Sequence, residues 1–201
     1  MFKFNNIIKL LTISDLAYQF GAGFITPVFA IFLINSIENS ATIVGTAAAI
    51  YWVTKSIIRL PIGYFLDKKR GERDDFYSLV AGFFVMSICY FLFLFAKTPT
   101  HIYLVQILMG IGGAFAFTPW YGFFSRHIDK NQENFEWGVS ISLTGFVMAG
   151  AGFVAGIVAD KFGFAPLFVA AGIFSLLGTA LLLFIGKHIK LKKNDGFTLI
   201  K

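Results

Sequence analysis

One cysteine and three histidines occur in 201 residues. A single thiol, Cys89, closes no intrachain disulfide and builds no thiolate metal site, so neither a metal nor a cofactor is expected. Charge is scarce too. Asp, Glu, Lys and Arg make up 14% of the chain, where a soluble domain carries about 25%. No HExxH, GxSxG or phosphate loop is present, and no paired groups suggest catalysis; an enzyme is not expected. Acids are the scarcer charge, 11 against 17 bases, for a net charge of +6. That excess need not mean nucleic acid. The bases lie in short connections between apolar blocks, where membrane topology places them, and no nucleic-acid partner is expected.

Apolar residues are abundant: 57% of the chain is hydrophobic, 26 residues are Phe, and the mean hydropathy is +0.73. So many phenylalanines are hard to hide in one aqueous core but can face a lipid bilayer. The apolar blocks run over about 8–34, 43–65, 77–96, 102–124, 138–159 and 165–185, each near the roughly 20 residues that cross the hydrocarbon layer. Backbone amides in lipid must be satisfied internally, so each block is predicted to be helical. Period-2 alternation for a barrel is lacking. The first block carries Asp15 and Gln19 and is too long for a cleavable signal; it reads as the first span. The expectation is an all-α domain of six transmembrane helices over 1–190, with a basic tail over 191–201.

The basic residues orient the spans. Lys3 and Lys9, then Lys68, Lys69, Arg70 and Arg73, then Arg126 and Lys130, then Lys187, Lys190, Lys192, Lys193 and Lys201 all fall on one side. Those are 13 of the 17, and the other side has only Lys97 and Lys161. The positive-inside rule makes the first side cytoplasmic. A multi-pass protein of the cell membrane with both ends in the cytoplasm is expected.

Gly45, Gly63, Asp67 and Lys68 recur 93 residues later as Gly138, Gly156, Asp160 and Lys161. Each set spans the middle helix of a three-helix group. Three is odd, so the second group is inverted relative to the first, the arrangement of many secondary transporters.

Gly63-Tyr64-Phe65-Leu66-Asp67-Lys68, followed by Lys69-Arg70-Gly71-Glu72-Arg73, resembles the signature loop after the second helix of the major facilitator superfamily. Gly156, Asp160, Lys161 and Gly163 resemble its weaker copy after the fifth helix, and Gln106 to Gly112 is similar to a second family motif. Two residues, not one, separate Lys68 from Gly71. Gln106 stands where that second motif has Arg, so the Arg's proton-relay role is not implied here. The resemblance implies a secondary transporter of a small solute by alternating access, with Gly63, Asp67, Lys68, Gly71 and Arg73 latching a gate. It covers the N-terminal six-helix half of a fold that usually has two. A homodimer, or a second six-helix half, is therefore the expected partner. A non-transporting membrane protein, decayed or regulatory, is the alternative.

Several residues are candidates for a substrate or proton cavity. Thr12, Asp15, Gln19 and Thr26 follow helical spacing as one polar stripe. Ionisable groups at membrane depth tend to face a cavity or partner; Asp15 is either a proton site or a helix-end residue that reaches interfacial water or pairs with Arg59. Lys55 and Arg59 share a face with Trp52, and two cations on a cavity would favour an anionic substrate, although Arg59 could equally snorkel or serve the latch. Gln106 joins this set. Pro27 and Pro119 are expected to kink their helices. The glycines of the fourth helix (Gly110, Gly112, Gly113) and of the fifth (Gly145, Gly150, Gly152, Gly156) are expected to pack helices closely. Trp120, Tyr121 and Trp137 read as an interfacial aromatic belt, and His127 as solvated.

Overall fold

A computed structural model describes residues 5–68 and 72–187; Gly71, Lys69, Arg70 and the tail over 191–201 lie outside the described residues. The described residues form six apolar helical spans, each long enough to cross a bilayer. The first is split into α1 (Asn6–Ile25) and α2 (Phe29–Ser36). Asn5 caps α1 by accepting a hydrogen bond from Ile7 N at 3.0 Å. The split falls at Pro27, which has no N–H to continue the ladder. The chain turns there through Val28 N donating to Ile25 O at 3.0 Å, and the Thr26 hydroxyl donates to Ala22 O at 2.9 Å. The expected kink is thus a break.

The remaining spans are α3 (Ala41–Lys68), α4 (Arg73–Phe93), α5 (Pro99–His127), α6 (Glu133–Phe162) and α7 (Ala165–Leu183). Most run a turn past the apolar blocks that announce them, because amides at a helix end still need partners when the side chains turn polar. Thr98 caps α5, accepting from His101 N at 3.3 Å, with Pro99 in its first turn. Gly163 ends α6 at φ 76°, a backbone region that side-chain-bearing residues rarely adopt. This glycine of the second motif copy therefore has a local structural role, the termination of a helix.

The helices pack in the spatial order α3, α5, α4, α7, α1, α6, each against its neighbours. Exchanging the first three spans with the last three maps these pairings onto themselves, as two inverted three-helix repeats require. Close approaches are made at glycines. A Cβ on Gly82 of α4 would overlap the backbone of Phe115 and Ala116 on α5, and one on Gly110 of α5 would come within 2.9 Å of Tyr51 O on α3.

The glycines of α6 behave otherwise. At Gly145, Gly150 and Gly156 an added Cβ meets nothing within 4 Å, whereas at Gly152 it meets Pro27 at 3.5 Å and Gly23 O at 3.9 Å. Within this chain the expectation that they pack helices closely holds only at Gly152, because α6 sits at one end of the spatial order and packs mainly on α1. Within their most apolar stretches, 17% of α3 and 11% of α6 is buried, against 44–56% in the other spans. Large apolar side chains such as Leu60, Phe146 and Phe153 stand outward on these two helices, each more than 70% exposed.

Candidate functional site

The inward stripe of α3 is short: Ile43, Ala47, Lys55 and Ile62 are its buried residues. Lys55 therefore faces α5, not lipid, and is 7% exposed. Space for it comes from the glycines opposite. The position a Cβ would take on Gly113 lies 3.4 Å from Cδ and Cε of Lys55. The ammonium donates to the Tyr51 hydroxyl at 2.9 Å. It also sits 4.5 Å from the ring centre of Phe117, 5.0 Å from Trp52 and 5.1 Å from Tyr51, close enough for each ring quadrupole to attract it. Among the described residues no carboxylate lies within ion-pair distance of it.

Lys55 lines a cavity of about 430 Å³ with Gln19 and Gln106. That volume is within the range of about 300–1,000 Å³ typical of small-molecule sites. Gln106 is 7% exposed. Asp15 does not line this space. It lies in an adjoining cavity of about 220 Å³ with Thr144, Trp120 and Trp137, and Gln19 lines both. Asp15 is 6% exposed and accepts a hydrogen bond from the Thr144 hydroxyl at 3.4 Å. Its described neighbours are hydroxyl and amide, and no ion pair joins it to Arg59. The Arg59 guanidinium lies 5.9 Å from the ring centre of Tyr121, and its buried Nε has no partner among the described residues.

The first signature motif, from Gly63 to Lys68, falls at the end of α3. α3 runs through Pro61 to Lys68, so Asp67 and Lys68 stand on its last turn and not in a loop. Both are exposed; Lys68 Nζ lies 4.6 Å from the ring centre of Tyr64, and Arg73 lies 5.5 Å from that of Tyr77. Gly63 has only Thr118 Cγ2 near its Cβ position, at 3.6 Å. In the second copy Asp160 and Lys161 are exposed on the last turn of α6.

Among the described residues, the ion pairs at the motif's end of the bundle join other side chains. Arg126, in the last turn of α5, pairs with Asp75 in the first turn of α4. Glu72 Oε1 lies 3.9 Å from Arg126 Nε and 3.4 Å from His127 Nε2. His127 is thus held between two helices, with a side chain 15% exposed, which corrects the expectation of a solvated loop residue. Bases at a helix C-terminus and acids at a helix N-terminus each suit the helix dipole, and that pattern is the sequence signal for Asp75 and Glu72. Trp120 is a second correction: it is 5% exposed and stacks on Phe124 at 5.1 Å, inside the bundle and not in an interfacial belt. Glu136, an acid in the first turn of α6, carries the same signal. It is 1% exposed, accepting from Asp129 N at 3.4 Å through Oε1 while Oε2 has no partner among the described residues.

Inverted three-helix repeats around a cavity that holds a buried lysine define half of a membrane transporter fold. The sequence model of the Major Facilitator Superfamily matches residues 11–199, and the chain belongs to that family. Among solved structures it is similar to the in meso crystal structure of PepTSo, a transporter of the POT family, with a TM-score of 0.66 at 13% identity. That match covers 98% of this chain and 40% of PepTSo, so the likeness is one of fold over part of the larger chain. No curated protein matches the chain.

Proposed function

We propose that the chain is a secondary transporter of a small anionic solute, working by alternating access as half of a two-fold dimer in the cell membrane, with both ends in the cytoplasm. The observation that carries the reading is the cavity at Lys55, a buried cation without a carboxylate partner among the described residues. It is flanked by the two helices whose outward faces this chain leaves uncovered. α3 and α6 end the spatial order, so a two-fold axis along the membrane normal, passing beside the cavity, sets α3 of one copy against α6 of the other. The ring of helices then closes around a shared aqueous space. A parallel pair also keeps the basic ends of both copies on one side. In this reading Asp15, next to the cavity through Gln19, is the proton site, and Asp67 latches the gate against the second copy.

Cysteine pairs test it. Gly45→Cys with Gly156→Cys lies at one end of the bundle and Gly63→Cys with Gly138→Cys at the other, and three of the four sites have nothing within 4 Å of the Cβ. Cross-links between protomers are expected, with uptake of an anionic solute in proteoliposomes that Lys55→Ala impairs while the dimer survives. A monomer in nanodiscs, without cross-links or uptake across a broad solute panel, would instead support the non-transporting alternative.

A further inference from the structure

From the make-up of the Lys55 cavity we infer its substrate class: a hydrophobic monocarboxylate, its head group on Lys55 and Gln106 and its apolar body against a methionine and phenylalanine wall. This rests on reading that cavity as the transport site.

Counting donors defines the head group. An ammonium has three protons to donate, and among the described residues Tyr51 accepts one of them. Gln106 is 7% exposed, faces the same cavity and has no hydrogen-bond partner among the described residues. Two ammonium protons and one amide NH₂ suit a carboxylate. Gln19, Trp52, Tyr18, Tyr90 and Thr26 also line the cavity, but the two tyrosine hydroxyls are bonded to each other and Thr26 donates to Ala22 O. With one cation in the lining, a singly charged head group suits the site better than a phosphate or sulfate dianion, whose desolvation needs many more charged donors. The three rings around Lys55 stabilise the ammonium without neutralising it, so the site has a cation to pair.

The body of the ligand follows from the wall. All methionines other than Met1, namely Met86, Met109 and Met148, line this cavity, with Phe29 and Phe93. Methionine adapts to varied apolar shapes, which suits a class of ligands over a single one. A zwitterion would need a carboxylate for its ammonium. Asp15 is the nearest candidate, and it lines the adjoining cavity, beyond Gln19.

The test is binding by the full chain in nanodiscs, measured by equilibrium dialysis against empty nanodiscs. The probes are 4-phenylbutyrate, its uncharged amide, acetate and inorganic phosphate. Saturable phenylbutyrate binding is expected, with the amide and acetate each about tenfold weaker or more, and phosphate not competing. Lys55→Met should weaken phenylbutyrate by about thirtyfold or more, as loss of one partner of a desolvated charge pair does, and Gln106→Leu by a smaller factor. The acid-against-amide comparison needs no variant, so it stands even if Lys55→Met misfolds. Equal binding of acid and amide, competition by phosphate, or retention no greater than that of empty nanodiscs would overturn the substrate class. If none of the probes binds while proteoliposomes take up another solute, this inference fails and the transporter reading survives. Lys55-dependent binding without any uptake would sink the transporter reading and leave the binding site.

Discussion

Replacing Arg126 by Met isolates the ion-pair network that joins α4 to α5. The substitution keeps much of the aliphatic stem and leaves two carboxylates without their cation: Asp75, whose side chain is 5% exposed, and Glu72, 29% exposed. Two unit charges at the 3.9 Å separating Arg126 from Glu72 attract by about 4 kcal/mol at an effective dielectric constant of 20. Much of that is returned by water, since Arg126 is 44% exposed. The nearly buried Asp75 sets the lower bound, because an uncompensated charge is costly where water cannot reach it. Together these give a loss of about 1–3 kcal/mol. At about 2–4 °C per kcal/mol for a chain of this size, the thermal midpoint in mild detergent should fall by several degrees. Asp75→Asn should lose less, since it removes the charge that is stranded. The double variant should be more stable than the sum of the single losses implies, with a coupling of about 1 kcal/mol or more. Single losses under about 0.5 kcal/mol, or strict additivity, would refute the claim that this network holds the two helices together.

Gly82→Ala should destabilise the detergent-solubilised protein by about 1–3 kcal/mol, because its Cβ would meet the α5 backbone. Gly145→Ala should be neutral or stabilising by up to about 1 kcal/mol, because nothing lies near its Cβ; thermal unfolding of the pair checks the contrast. Asp67→Asn, at an exposed position, should leave expression and thermal midpoint unchanged yet abolish uptake in proteoliposomes, with a smaller effect from Asp160→Asn; full activity of Asp67→Asn would reduce Asp67 to a topology residue. Cysteines at Asn39 and Thr98 should react with an impermeant maleimide in intact cells while one at Arg73 should not. Cys89 is buried and adds no background, and labelling at Arg73 would reverse the orientation.

The sequence alone determined the six spans, the helical class and the family. A bilayer demands roughly 20 apolar residues per crossing and internally satisfied amides, and both demands are written locally along the chain. The motif at Gly63 to Lys68 was equally legible, being contiguous. Lys55 could be singled out because a cation inside an apolar block is conspicuous. Its surroundings could not: Phe117 and Gln106 come from α5, and only the approach of α3 at Gly110 and Gly113 brings them to it. The division of the polar stripe was hidden for the same reason. Asp15 and Lys55 look like one set when spaced along helices, but the packing of α6 on α1 places Thr144 at Asp15 and gives that carboxylate a cavity of its own. The α6 glycines show the limit from the other side. Sequence can report that a face is small and smooth, whereas whether another helix lies on it depends on the spatial order of the bundle, and α6 stands at its end. Glu72, Asp75, Arg126 and His127 look in sequence like separate polar groups near helix ends. They become a network because α4 begins where α5 stops, a coincidence in space that no local pattern records.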